Sequence, residues 1–338
     1  MRPYSTSLTA CFALALAFAS SQAHAQYQLT NLVSNQVKAA NHVDPLLVNA
    51  WGLAYGPGGP FWVSDNLSGW STIYDGHGAK KSLVVLIPTA VGYPGTPTGI
   101  VFNGSEEFQV ENNAARFLFA TLDGTISGWA PQSNPNAAIV AATSPGSVYT
   151  GLAITSNPTG NFLFAADNAN NKIDMYDGTF TLQGSFTDPA VPLGFSVFGV
   201  QDIAGLVYVS FANSSGGSGG FIDIFSEDGS LVKQLAQGRP LNQAWGFALA
   251  PANFGPLSNT LLVSNNTDHG TINSFNAVTG SFVGTLRDTT GKAIVIDQLW
   301  GIEFGGGTAN DGAKNELFFT AGPFKNVAGT FGAIRFSN

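Results

Sequence analysis

Gly151-Leu152-Ala153-Ile154, Phe162-Leu163-Phe164-Ala165-Ala166-Asp167-Asn168 and Lys172-Ile173-Asp174-Met175-Tyr176-Asp177-Gly178 follow one another in mid-chain. Each is a short apolar or alternating run closed by Asp, Asn or Gly, residues that favour turns, so each reads as one β-strand of an antiparallel series. The same order recurs on both sides. Upstream stand Trp51-Gly52-Leu53-Ala54, Phe61 to Asn66, Ser71 to Gly76 and Leu83 to Ile87, then Thr98-Gly99-Ile100-Val101, Phe117 to Thr121 and Thr125 to Trp129. Downstream stand three more copies, led by Phe198-Gly199-Val200, Trp245-Gly246-Phe247-Ala248 and Trp300-Gly301-Ile302. The leading glycines at 52, 99, 151, 199, 246 and 301 are spaced by 47, 52, 48, 47 and 55 residues, as expected of a fixed unit joined by loops of varying length.

A unit of about 40 to 50 residues with about four short strands is the signature of a β-propeller. Six copies predict an all-β, six-bladed β-propeller with four antiparallel strands per blade. The last copy stops after its third strand, so the N-terminal segment Tyr27 to Val37 is expected to supply the missing outer strand and close the ring. Composition agrees: 338 residues with 44% hydrophobic, only 10% charged and 41 glycines describe a turn-rich globular chain rather than a disordered or coiled-coil one.

Residues 1–25 read as a secretory leader, with Arg2, an apolar run from Leu8 to Ala19 and the small-residue site Ala23-His24-Ala25. The run is too short to span a bilayer, and no later stretch is long enough, so no membrane insertion is expected. The mature domain would be 26–338, secreted or periplasmic after cleavage near Ala25. Cleavage would remove the only cysteine, Cys11, and with it any thiol chemistry. It would leave 12 basic against 21 acidic residues, which argues against nucleic acid as a partner. A small polar ligand, a glycan or a protein surface suits this charge better.

The Gly151 to Asp177 copy resembles the NHL-repeat type of propeller and its gluconolactonase and streptogramin-lyase relatives. From Asp44 to Gly332 the chain more closely resembles a family of secreted bacterial proteins of unknown function, through Asp44 to Ala54, Phe61 to Asn66, Asp123 to Trp129 and Phe319 to Pro323. The resemblance implies the propeller fold and carries no activity with it.

Loops entering the innermost strands and loops joining second to third strands share one rim of a propeller. That rim should carry Asp44, Asn49, Trp51, Asp188, Asn242, Trp245, Asp297 and Trp300 from the first set. The second set supplies Asp65, Asn66, Asp123, Asp167, Asn168, Asn265, Asn266, Asp268 and His269. Carboxylates and amides of this kind could hold Ca²⁺ or another divalent cation, with Asp167 and Asp297 as candidate ligands, or could simply terminate strands. In lactonases of similar fold such an ion would polarise an ester carbonyl, although the gluconolactonase ligand set is not matched residue by residue. The three tryptophans could stack on a sugar or wedge between blades. His269, beside Asp268, is the candidate general base, or else a turn residue. Three functions remain open: a ligand- or protein-binding module, a metal-assisted lactonase, hydrolase or lyase at the central channel, and a structural assembly module.

Overall fold

The computed structural model describes residues 27–157 and 160–337. The leader read over residues 1–25 lies outside the described residues. Six sheets surround a central axis, and each innermost strand lies beside that of the next blade. Blade 1 is Ala50–Ala54, Phe61–Asp65, Trp70–Tyr74 and Val85–Leu86; blade 2 is Pro97–Phe102, Phe117–Thr121, Thr125–Trp129 and Ile139–Thr143. Blade 3 is Tyr149–Asn157, Gly160–Asp167, Lys172–Asp177 and Leu182–Phe186; blade 4 is Phe195–Ile203, Leu206–Asn213, Gly220–Phe225 and Leu231–Gln237. Blade 5 is Ala244–Leu249, Leu261–Asn265, Ile272–Phe275 and Phe282–Thr285. Blade 6 is Leu299–Phe304, Glu316–Ala321 and Thr330–Phe336, completed by Tyr27–Ser34.

That last strand closes the ring as the sequence predicts. It runs antiparallel to Thr330–Phe336, from Tyr27 opposite Phe336 to Ser34 opposite Thr330, with a bulge between Asn31 and Val33. Tyr27 is buried and its hydroxyl donates to the Phe254 carbonyl at 2.8 Å, so the N-terminal strand is tied into blade 5 as well.

Alternation explains why the second strands are apolar on both faces. Leu163 and Ala165 pack against blade 2 beside Val101 and Leu118, whereas Phe164 and Ala166 pack against blade 4 beside Val197 and Phe211. Both faces of a blade are interior because blades stack on both sides. Among the described residues the helix is a single turn, Gly255–Leu257, and no helix is long and apolar enough to cross a membrane.

The six glycines serve the axis. A Cβ on Gly199 would lie 1.9 Å from the Trp245 carbonyl oxygen, one on Gly99 2.2 Å from the Leu152 nitrogen, and one on Gly52 2.6 Å from the Thr98 oxygen. Hydroxyls bridge the same junctions. Thr98 donates to Tyr149 O, Thr150 to Phe198 O, Ser210 to Ala244 O, Ser264 to Trp300 O and Thr320 to Trp51 O, each reaching the next blade round the ring. In blade 1 the corresponding Ser64 hydroxyl is buried without a partner.

Candidate functional site

The chain enters every innermost strand at the same end of the channel, where the rim read from sequence lies. Most of its asparagines are bound into the repeat, whereas the Asn242 Oδ1 is buried without a partner. Asn66, Asn168 and Asn266 each donate a side-chain N–H to the carbonyl two residues before the next blade's glycine, at Pro97, Val197 and Leu299, over 3.2, 2.7 and 3.3 Å. Asn49 donates to Asn66 at 3.1 Å, and Asn265 donates to Pro240 O while accepting from the Asn242 backbone. Asn49, Gln243 and Gln298, three residues before their glycines, adopt left-handed φ of 52°, 53° and 50°, which turns the chain into the axis.

Trp51, Trp245 and Trp300 converge on the axis and are nearly buried. Trp51 stacks on Trp300 with centroids 3.5 Å apart, and Trp245 meets both edge-on at 6.2 and 5.8 Å. Trp300 donates to Asn49 Oδ1 and Trp245 to Thr150 O, whereas Trp51 Nε1 is buried without an acceptor. The indoles fill the channel: the axial cavity beside Trp245 has a volume near 20 Å³, room for about one water.

The carboxylates read from sequence lie apart. Asp167 is fully buried and accepts from Ser147 Oγ, Val148 N and Asn170 Nδ2 in its own blade. Asp297, in blade 6 on the opposite side of the ring, accepts from Phe324 N at 2.8 Å, and its other oxygen is buried without a donor. Asp65 accepts from Thr72 N; burial, reinforced by the Asp44 charge, holds its carboxyl well above the usual range against the opposing Thr72 and Lys80. Asp268 accepts from Gln298 Nε2 in an exposed turn, and the neighbouring His269 is exposed. Among the described residues no group of three or more His, Cys, Asp and Glu comes together to hold a metal ion.

At the far end of the channel, where the innermost strands leave the axis, the structure opens a mouth of about 240 Å³. Leu53, Ile100, Phe102 and Ile154 form its apolar wall, and Tyr55, Gln201, Asp202 and Glu303 bring polar groups. Glu303 lines both the axial cavity and the mouth, and burial pushes its pKa up to about 8. Asp202 is pushed up to about 6, mainly by burial and then by the Glu227 charge, and its Oδ2 has no partner. No lysine or arginine lines the mouth. An apolar concavity with a few converging polar groups of shifted pKa is the usual form of a ligand site.

Sequence reasoning passed over this end, but a signal was present. Two residues beyond the repeat glycines stand Ala54, Val101, Ala153 and Ala248, whereas blades 4 and 6 put Gln201 and Glu303 there. Those are the two places where the apolar pattern of the innermost strand breaks.

Fold and channel together define a six-bladed propeller closed by its N-terminal strand and sealed at one end by tryptophan. No family model matches the chain. A protein of Acanthamoeba polyphaga mimivirus, described as uncharacterised, is 29% identical over 332 residues, 91% of this chain and 80% of its own length. A second from the same virus, also described as uncharacterised, is 30% identical over 309 residues, covering 84% of this chain and 80% of its own. The chain belongs to the family of these viral proteins. Among solved structures, streptogramin B lyase aligns with TM-score 0.55 at 12% identity, over 93% of this chain and 98% of its own. A gluconolactonase from Xanthomonas campestris aligns with TM-score 0.57 at 12% identity, over 86% of this chain and 87% of its own. At that identity the likeness is one of fold.

Proposed function

We propose that this protein is an exported binding propeller whose ligand site is the open mouth of the channel. The ligand would be small and polar, offering an amine or several hydroxyl donors to Glu303 and Asp202 and an apolar face to Leu53, Ile100 and Ile154. The observation that carries the reading is the Glu303 carboxyl, with no lysine or arginine among the residues lining the mouth. Export rests on the leader-like sequence of residues 1–25, and N-terminal sequencing of protein released by a bacterial host would find Gln26 first. Thermal-shift and calorimetric titration against primary amines, amino alcohols and monosaccharides tests the site. Amine hits, whose ammonium would ionise Glu303 on binding, should bind Glu303→Gln about ten- to a hundredfold more weakly, the cost of a charge-assisted hydrogen bond, and Asp268→Asn normally. Hits indifferent to Glu303→Gln but weakened by Asp268→Asn would return the site to the opposite rim.

A hydrolase or lyase reading draws on the same carboxyl. With a pKa of about 8, Glu303 is largely protonated at neutral pH and placed to act as a general acid. On this reading a panel of lactones and esters would show turnover that falls as pH rises through 8 and is abolished in Glu303→Gln. Absence of turnover across the panel would leave the binding role.

A further inference from the structure

Three blades bury carboxylates in their interface with the preceding blade. In blade 1, Asp44 accepts the Tyr74 hydroxyl at 2.6 Å and is held by the Lys80 ammonium at 2.8 Å. In blade 3, Asp174 accepts the Tyr149 hydroxyl at 2.8 Å and the Lys172 ammonium at 2.6 Å, with Asp167 3.9 Å from the same nitrogen. Asp44 and Asp174 thus each have a resident cation beside them.

Blade 4 differs. Asp223 is fully buried on its third strand, between Val209 and Gln234 in register, and Phe221 and Phe225 on the same face pack toward blade 3 with Val191 and Val197. Asp188, also buried, enters from the loop after blade 3, within hydrogen-bonding reach of Asp223. Asp188 Oδ1 accepts from Ala190 N at 2.8 Å, but neither oxygen of Asp223 receives a donor, and the hydroxyl of adjacent Thr187 is also buried without a partner. Among the described residues no lysine, arginine or histidine pairs with either aspartate.

We propose that Asp188 and Asp223 bind a divalent cation of the Ca²⁺ class between blades 3 and 4, which would balance their charge as a lysine ammonium does for Asp44 and for Asp174. The donors are hard oxygens, as Ca²⁺ and Mg²⁺ prefer, and backbone carbonyls or water would complete the shell. The ion would clamp two blades and is independent of the channel mouth.

The test uses the mature chain, stripped with EDTA and titrated at neutral pH with CaCl₂ and, separately, MgCl₂, by calorimetry and native mass spectrometry. One ion per chain should be retained, and its binding should raise the midpoint of thermal unfolding. Asp223→Asn and Asp188→Asn should each weaken binding at least about tenfold, since losing even an outer partner of a metal site costs that much. Asp297→Asn should bind normally. Stability should also change order: Asp223→Asn should be the more stable protein without metal, and wild type the more stable with Ca²⁺. Should wild type retain neither ion, the pair holds a shared proton and the proposal fails, whether or not the variants fold. It fails equally if Asp297→Asn, and not Asp223→Asn, abolishes binding.

Discussion

The two ends of the channel use polar residues in opposite ways. At the entry end Asn66, Asn168 and Asn266 sit at one place in alternate blades and make the same bond to the next blade. At the exit end Glu303 and Gln201 occupy a place where four blades have Ala or Val, and both line the mouth of the channel. A polar residue that recurs with the repeat serves the ring. One that interrupts the repeat is available for something else.

The largest test of this contrast is at the sealed end. Trp300→Ala removes a ring stacked at 3.5 Å on Trp51 and leaves a hole on the axis, so it should cost about 3–5 kcal/mol in denaturant unfolding. A loss under about 1 kcal/mol would mean the indoles are a lining rather than a plug.

At the open end the sign reverses. The Glu303 carboxyl titrates at 4.5 when unfolded and at about 8 when folded, so the folded chain holds an extra proton between these values. Its contribution is complete below pH 4.5 and is lost as pH rises through 8. Glu303→Gln, neutral at every pH, should therefore be more stable than wild type above pH 8 by about 2 kcal/mol, a figure reduced for water at the mouth. The two proteins should converge toward pH 4.5; a gain independent of pH would remove the desolvated carboxylate from the account.

The smallest effects separate residues within the entry end. Asn168→Ala breaks a 2.7 Å bond to the next blade and should cost about 1 kcal/mol. His269→Ala, in an exposed turn, should leave the unfolding midpoint unchanged. Equal losses from both would mean that the clasps carry no more than any surface turn.

The blades were legible because their signal is local. The unbroken apolar run Phe162 to Ala166 reports that both faces are buried, the glycines at 52, 99, 151, 199, 246 and 301 mark where one backbone nears another, and the missing outer strand of blade 6 points back to Tyr27. The rim was legible as a place but not as chemistry. Asn49 and Trp300 come from opposite ends of the chain and meet only when the ring closes, so nothing in the periodicity shows that one bonds the other.

The sequence by itself determined the number of blades, the strand order within each and the closing partner, since these follow from a repeat of side-chain faces along one strand. Only the tertiary structure decided which polar groups are satisfied. It consumed Asn49, Asn66, Asn168, Asn265 and Asn266 in clasps, packed three indoles into the channel, placed Glu303 at an open mouth, and brought Asp188 against Asp223 without a counter-charge. A hydrogen bond or an ion pair depends on a partner from another blade, and the partner's position exists only once the ring is closed.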